Sequence, residues 1–297
     1  MSPSSGSGAT SPDTPGAPSP DTRAAVAAVR RWYHCIELAP GVVSPGMFDL
    51  RSTVDRLPWP DVRGKRCLDV GTADGFFAFE LERRGAAEVL ATDIGGHESW
   101  DWEPHNREAG LRFMRSTFGA EMGAGFPVAR DARGSAVAFE RVNVHELSPE
   151  RLGTFDVVVC GSLLLHLRDP LGALEAIRSV CRGHFLSANQ IDLGRSLLYR
   201  HRPLFRLDGT SGATQWWIPN AAGHRQLLLA SGFSIERESG LYSIAYGPAH
   251  DPPPGRPKAI VRQLARRALT GNDGVPHHAV LAVPAVLAGA AQSTGER

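Results

Sequence analysis

Between Arg66 and Ala86 the chain reads RCLDVGTADGFFAFELERRGA, with the acids Asp69 and Asp74 set among the glycines Gly71 and Gly75. An apolar run, Cys67 to Val70, breaks there into a loop and passes straight into a helical pattern. Such a passage lets backbone approach a ligand closely and turns the free N–H groups of the helix start toward it. A dinucleotide-binding turn requires G-x-G-x-x-G, whose second glycine clears room for a pyrophosphate. The loop Gly71-Thr72-Ala73-Asp74-Gly75 lacks that spacing, and its carboxylates repel phosphate but suit an amino group. The run EVLATDI ends a second strand on Asp93, 24 residues after Asp69, where an acid can accept both hydroxyls of a ribose. These residues together ask for a ligand that is part amino acid and part nucleoside. The plainer reading, in which Gly71 to Gly75 only turns a strand into a helix, leaves Asp93 without a role.

Holding such a loop in place takes alternating strands and helices, which predict a doubly wound, Rossmann-like α/β sheet with its ligand at the carboxyl ends of the strands. After the strand ending at Asp93 come a helix over Asn106 to Phe118, a loop over Glu121 to Gly134 and a third strand over Val137 to Val144. Phe155 to Gly161, FDVVVCG, is apolar throughout, as a strand buried on both faces should be. A helix capped by Asp169 and a fifth strand over Gly183 to Ile191 follow, then an insert over 192–219. A helix over Asn220 to Gly232, a long sixth strand over Phe233 to Tyr246 and a seventh over His277 to Pro284 complete seven strands. In front of this domain, taken as 61–285, Val26, Val29, Tyr33 and Ile36 recur at helical spacing and predict a helix to about Leu38. That helix would form part of a cover over 21–60 and bring the titratable Tyr33, His34 and Glu37 together. Residues 1–20 and 286–297 read as tails.

The 297 residues carry 42% apolar side chains and a formal net charge of +1, enough for a sizeable core and too balanced for a global field favouring nucleic acid or membrane. Cys35, Cys67, Cys160 and Cys181 are scattered without a C-x-x-C, which suggests neither a metal site nor a disulfide framework and fits a reducing cytoplasm. No run of eighteen apolar residues occurs, so no membrane span is expected.

LDVGTADG resembles the first motif of the class I methyltransferases, Asp93 resembles their ribose acid, and SLLLHLRDP from Ser162 resembles their fourth motif. The likeness covers roughly Arg30 to Ala285 and implies S-adenosylmethionine as the cofactor. It implies that Asp69, Gly71, Thr72, Ala73, Gly75 and Phe76 surround the methionine end, that Asp93 and Ile94 hold the ribose, and that Asn143, Val144 and His145 face the adenine edge. Gly161, Ser162 and Leu163 would then lie beside the reactive methyl, with His166 as general base. Tyr33, His34 and Glu37 would stand over the acceptor. The family resemblance also implies that the seventh strand runs antiparallel.

Two shorter stretches are similar to bacterial methyltransferases of the tRNA wobble uridine: the segment around Arg51-Ser52 and TQWWIPN, whose Trp216 and Trp217 would wall the acceptor. Leu165 stands where those enzymes carry a tyrosine, and Arg256 is a loose match to their late arginine. The departures point to unmodified S-adenosylmethionine and to a small aromatic or heterocyclic acceptor, as in natural-product tailoring or indole C-methylation. A tRNA acceptor is the alternative.

Overall fold

The computed structural model describes residues 20–210, 214–250, 264 and 266–286. The tails, Arg256 and most of the 250–258 linker lie outside the described residues.

At the N-terminus the helix α1 (Pro20–Ala28) is shorter than its periodicity suggests. The chain continues in strands: β1 (Trp32–His34), β2 (Glu37–Ala39), β3 (Val42–Val43) and β4 (Gly46–Asp49). The expected helical cover is therefore corrected to a mostly stranded one. WYHCI is aromatic and β-branched, a composition that fits a pleated surface, and two tertiary partners hold it extended. β1 pairs in parallel with β4, Trp32 opposite Gly46 and His34 opposite Phe48. The buried carboxylate of Asp74 accepts the amides of Tyr33 at 2.6 Å and His34 at 3.1 Å.

The central unit alternates as expected: β5 (Arg66–Val70), α2 (Phe76–Arg83), β6 (Glu88–Asp93), α3 (Arg107–Phe118), α4 (Gly125–Arg133), β7 (Ala138–Arg141), α5 (Pro149–Leu152), β8 (Phe155–Gly161), α6 (Pro170–Val180) and β9 (Cys181–Gln190). The helix α4 replaces the loop expected over Glu121 to Gly134. It forms because Phe126 and Ala129 are buried on one face, with Phe126 stacked on Phe79 of α2 at 5.5 Å. β5 is flanked by β6 and β8, all parallel, and its side chains are buried from Cys67 onward, which is why FDVVVCG and CLDV read as continuous apolar runs.

The insert is compact: α7 (Leu193–Leu198), then the hairpin of β10 (Phe205–Leu207) and β11 (Trp217–Pro219). Asn220 locks it. Its Oδ1 accepts the Leu204 and Gly223 amides, and its Nδ2 donates to the Tyr199 and Arg202 carbonyls. The chain ends with α8 (Ala221–Ala230), β12 (Phe233–Glu238), β13 (Tyr242–Tyr246) and β14 (Val275–Pro284). The expected long sixth strand is broken into β12 and β13, both antiparallel to β14. β14 in turn runs antiparallel to β9, with His278 opposite Asn189.

Among the described residues the sheet order is β1-β4-β13-β14-β9-β8-β5-β6-β7, with β12 also on β14, ten strands where the sequence led to seven. The additional edge comes from β4 and β1, which join through β13, Tyr246 opposite Phe48. The direction of winding reverses between β5 and β8, and open α/β sheets bind ligands at the carboxyl ends of the strands beside such a reversal.

Asp74 links this centre to the N-terminal strands and, through the Gly125 amide, to α4. Replacing it with alanine leaves three amide donors without their acceptor. Asp74→Ala is expected to destabilise the protein by roughly 2–4 kcal/mol, read as a lower midpoint in urea unfolding with an unchanged slope.

Candidate active site

The carboxyl ends of the strands open into one cavity of about 410 Å³, within the range small-molecule sites occupy. Along one side it is formed by the loop after β5 and the ends of β6 and β7: Gly71, Ala73, Asp93, Ile94, Asn143, Val144 and His145. The loop is tightly determined. Gly75, at φ +97°, precedes α2, and a side chain there would run into the rings of Phe79 and Phe126. Ala73, also at positive φ, turns its amide onto Asp93 Oδ2 at 2.8 Å, while the Ile94 amide donates to Oδ1 at 2.8 Å. Each carboxylate oxygen keeps a further lone pair, and burial raises the pKa of the group. The Asn143 Oδ1 accepts the His145 amide at 3.0 Å and so fixes the turn that the sequence marked for adenine.

Two acids expected to meet an amino group are turned elsewhere. Strand alternation puts Asp69 with Cys67 on the face opposite Leu68 and Val70; it is buried off the cavity, accepting the Thr72 hydroxyl at 2.6 Å. Burial pushes its carboxyl up to about 7 and that of Asp74 to about 6. Thr72, Gly75 and Phe76 also lie behind the lining, and Phe77 reaches the cavity where Phe76 does not.

The opposite side is built by β1, α3 and the reversed strands. Tyr33 and His34 line it, the Tyr33 ring edge-on to His34 at 4.8 Å and to Phe48 at 5.1 Å. Glu37 does not join them. On a strand it points outward and is exposed, and its carbonyl accepts Arg133. Arg51 is exposed, paired with Asp49 at 2.8 Å and outside the lining. Trp216 and Trp217 are likewise not in the wall: their indole N–H groups donate to the carbonyls of Asp101 and Arg168, bracing the insert against the loop after β6 and the fourth-motif loop. Trp100 and Trp102 take that place, their rings stacked at 5.9 Å and joined by Met47, Phe113, Met114 and Phe118. The amphipathic pattern of α3 was legible as a helix, but nothing in it marked the apolar face as a ligand wall.

Gly161, Ser162, Leu163 and His166 line the floor, and Leu165 with them. His166 sits at the end of a 3₁₀ turn over Leu164–His166. Its Nδ1 lies 2.8 Å from the Thr214 carbonyl. Because a carbonyl only accepts, Nδ1 carries the proton, and Nε2 is left as the basic nitrogen. Burial lowers its pKa and the carbonyl bond partly offsets this. Sequence gave no indication of His277. It lines the cavity from β14, with Nδ1 2.8 Å from the Val275 carbonyl and Nε2 2.8 Å from the Ser162 hydroxyl. Among the described residues, no lysine or arginine lines the cavity.

Residues 48–237 match the family model described as a methyltransferase domain. The chain belongs to that family. S-adenosylmethionine is its cofactor, and the chain's own residues fit it: a backbone-lined bend for the methionine end, and beside it an acid whose amide-held oxygens still have accepting capacity for a ribose. The methyltransferase is 29% identical over 136 residues to the ubiquinone biosynthesis O-methyltransferase of Acinetobacter baumannii (strain AYE), a match covering 43% of this chain and 47% of that one. With the protein of the same name from Hahella chejuensis it shares 31% over 119 residues, 40% of each. It thus spans about half the length of the curated relatives it matches. Among solved structures it resembles 1,6-didemethyltoxoflavin-N1-methyltransferase of Burkholderia thailandensis, at 16% identity and a TM-score of 0.44 over 75% of this chain and 72% of that one. It also resembles magnesium protoporphyrin IX methyltransferase of Synechocystis PCC 6803, at 16% identity and a TM-score of 0.41 over 76% of each. No helix among the described residues of the methyltransferase is long and apolar enough to cross a membrane.

Burial depresses His34 to about 3 and His277 to about 4, and lowers His166 and His224 as well. Below about pH 6.5 the unfolded chain binds protons on these imidazoles that the folded chain refuses, so they remove stability as pH falls. Asp69 and Asp74 act with the opposite sign: the fold holds their protons up to about 7 and 6, so their stability is present in acid and lost as pH rises through those values. Asp93, also raised by burial, shares their sign; the four depressed imidazoles outnumber these three acids, and the melting temperature is expected to fall between pH 6.5 and 4, followed by scanning calorimetry.

Proposed function

We propose that this chain transfers the methyl group of S-adenosylmethionine to a small, neutral aromatic or heterocyclic acceptor. The observation that carries the reading is the wall of Trp100, Trp102, Phe113 and methionines standing in the same cavity as His166, with no cationic side chain in the described lining. Flat apolar faces suit a ring, whereas an acceptor bearing phosphate or carboxylate would be buried there without a counter-charge. Asp93 accepts from the ribose hydroxyls, and Asn143 with the Val144 backbone meets the adenine edge. Bound there, the sulfonium supplies both the methyl group and its leaving group. The protein's task is then alignment and exclusion of water, which lowers a barrier by ~7 kcal/mol or more. The neutral Nε2 of His166 takes the acceptor's proton, a contribution of roughly 10²–10⁴ in rate.

The relatives named ubiquinone biosynthesis O-methyltransferase add O-methylation to natural-product tailoring and indole C-methylation as forms of this chemistry. A tRNA acceptor would need the arginines of the insert and of the helix expected from Ala259 to merge into one basic surface; within the insert Arg200 and Arg202 are exposed, whereas Arg195 is paired with Asp192 and Arg206 with Asp208 at 3.1 Å, which thins such a surface.

Labelled S-adenosylmethionine offered with total tRNA and with a panel of phenols and indoles tests the reading; label is expected in the small molecules, and label in tRNA alone would overturn it. His166→Ala is expected to lower kcat about 10²-fold or more with adenosylhomocysteine affinity unchanged in calorimetry. Asp93→Ala is expected to weaken that affinity at least about tenfold, since two hydrogen bonds to a charged group are lost.

A further inference from the structure

Ser162 has an unusual backbone. Among the described residues it is one of three non-glycine positions at positive φ, +51°, a conformation that costs about 1–3 kcal/mol and persists only where its surroundings impose it. Here the Ser162 amide donates to the Ala188 carbonyl at 2.7 Å, and the hydroxyl meets His277 Nε2 at 2.8 Å. The direction of that second bond is determined. His277 Nδ1 faces a carbonyl, so it bears the proton; a buried, neutral imidazole then has no hydrogen on Nε2, and the serine hydroxyl must donate. Its one hydrogen is thereby occupied. What Ser162 Oγ offers the cavity is lone pairs alone.

The pair also lies on a particular side. The nucleoside-facing residues come from the ends of β5, β6 and β7, whereas Ser162 follows β8, and His277 stands on β14 opposite Gln190 of β9. Gln190, Ile244 and Val275 line the cavity beside them. This is the half left for the acceptor.

We infer that Ser162, its hydroxyl hydrogen held by His277, is a specificity-determining residue that accepts a hydrogen bond from an O–H or N–H of the methyl acceptor and so selects protic acceptors over their ethers and N-substituted analogues. The inference rests on the small-acceptor reading above and extends it from ring shape to hydrogen-bond polarity. Ser162 touches the acceptor; His277 is a positioning residue that acts through it.

The test is equilibrium dialysis of the full chain, loaded with adenosylhomocysteine, against 2-naphthol and 2-methoxynaphthalene, which share a ring and differ in one O–H. Wild type is expected to prefer the naphthol by about tenfold, the scale of one hydrogen bond. Ser162→Ala should reduce that preference without changing adenosylhomocysteine stoichiometry. His277→Phe should do more. It frees the serine hydrogen to donate, so affinity for the ether rises while that for the naphthol does not, an inversion that a purely structural role for His277 would not produce. If both compounds bind and their ratio is the same in wild type and both variants, the polarity assignment is overturned and the small-acceptor reading stands. If neither compound binds, both are overturned. Should His277→Phe fail to bind adenosylhomocysteine, His277→Leu, which likewise offers the serine no acceptor, replaces it, and an unchanged ratio there overturns the assignment equally.

Discussion

The site depends on how one buried carboxylate is satisfied. Asp74 lies in the loop after the first central strand with no exposed surface, an expensive place for a charge unless donors converge on it. Three amides do: two from the N-terminal strand and one from the start of α4. By drawing them in, Asp74 brings Tyr33 and His34 over the cavity and sets the helix whose Phe126 packs behind the loop. The same loop is held from below, where the Ala73 amide rests on Asp93. A five-residue bend is thus fixed between two aspartates, and neither spends its charge on a basic side chain.

Around that bend the cavity divides by topology. Parallel strands on one side of the winding reversal present backbone amides, an acid and an asparagine cap, groups that read a nucleoside. The reversed strands and α3 on the other side present aromatic rings, thioethers and imidazoles. Burial is the dominant electrostatic influence throughout: it keeps His34 and His277 neutral and raises Asp69 and Tyr33. Polar groups in the acceptor half consequently act through hydrogen-bond direction. Backbone carbonyls at Val275 and Thr214 set that direction by fixing the tautomer of the imidazole each one meets.

Local chemistry was most legible at the bend and strand ends that line the cavity. The bend at Gly71 to Gly75, Asp93 at a strand end, the asparagine turn and the floor from Gly161 to His166 each carry their meaning in adjacent residues, because glycine torsions, strand ends and caps are short-range properties. Alternating apolar runs likewise announced the parallel strands. By contrast, Tyr33, His34 and Glu37 have helical spacing that the chain does not follow. Intrinsic propensity is a weak prior, and pairing with β4 together with the Asp74 clamp outweighed it. Once the segment is a strand, the period changes from 3.6 to 2 and Glu37 leaves the site.

Sequence by itself determined that this chain would form an α/β sheet and, by its likeness to a known family, take S-adenosylmethionine as cofactor, since the residues of each motif lie within a few positions of one another. Tertiary structure alone decided which tryptophans line the cavity, that Asp69 and Asp74 turn into the fold, and that Ser162 meets a histidine 115 positions away. Those outcomes follow from the packing of strands distant in the chain, where a side chain's direction is set by the register of its neighbours and not by the residues beside it.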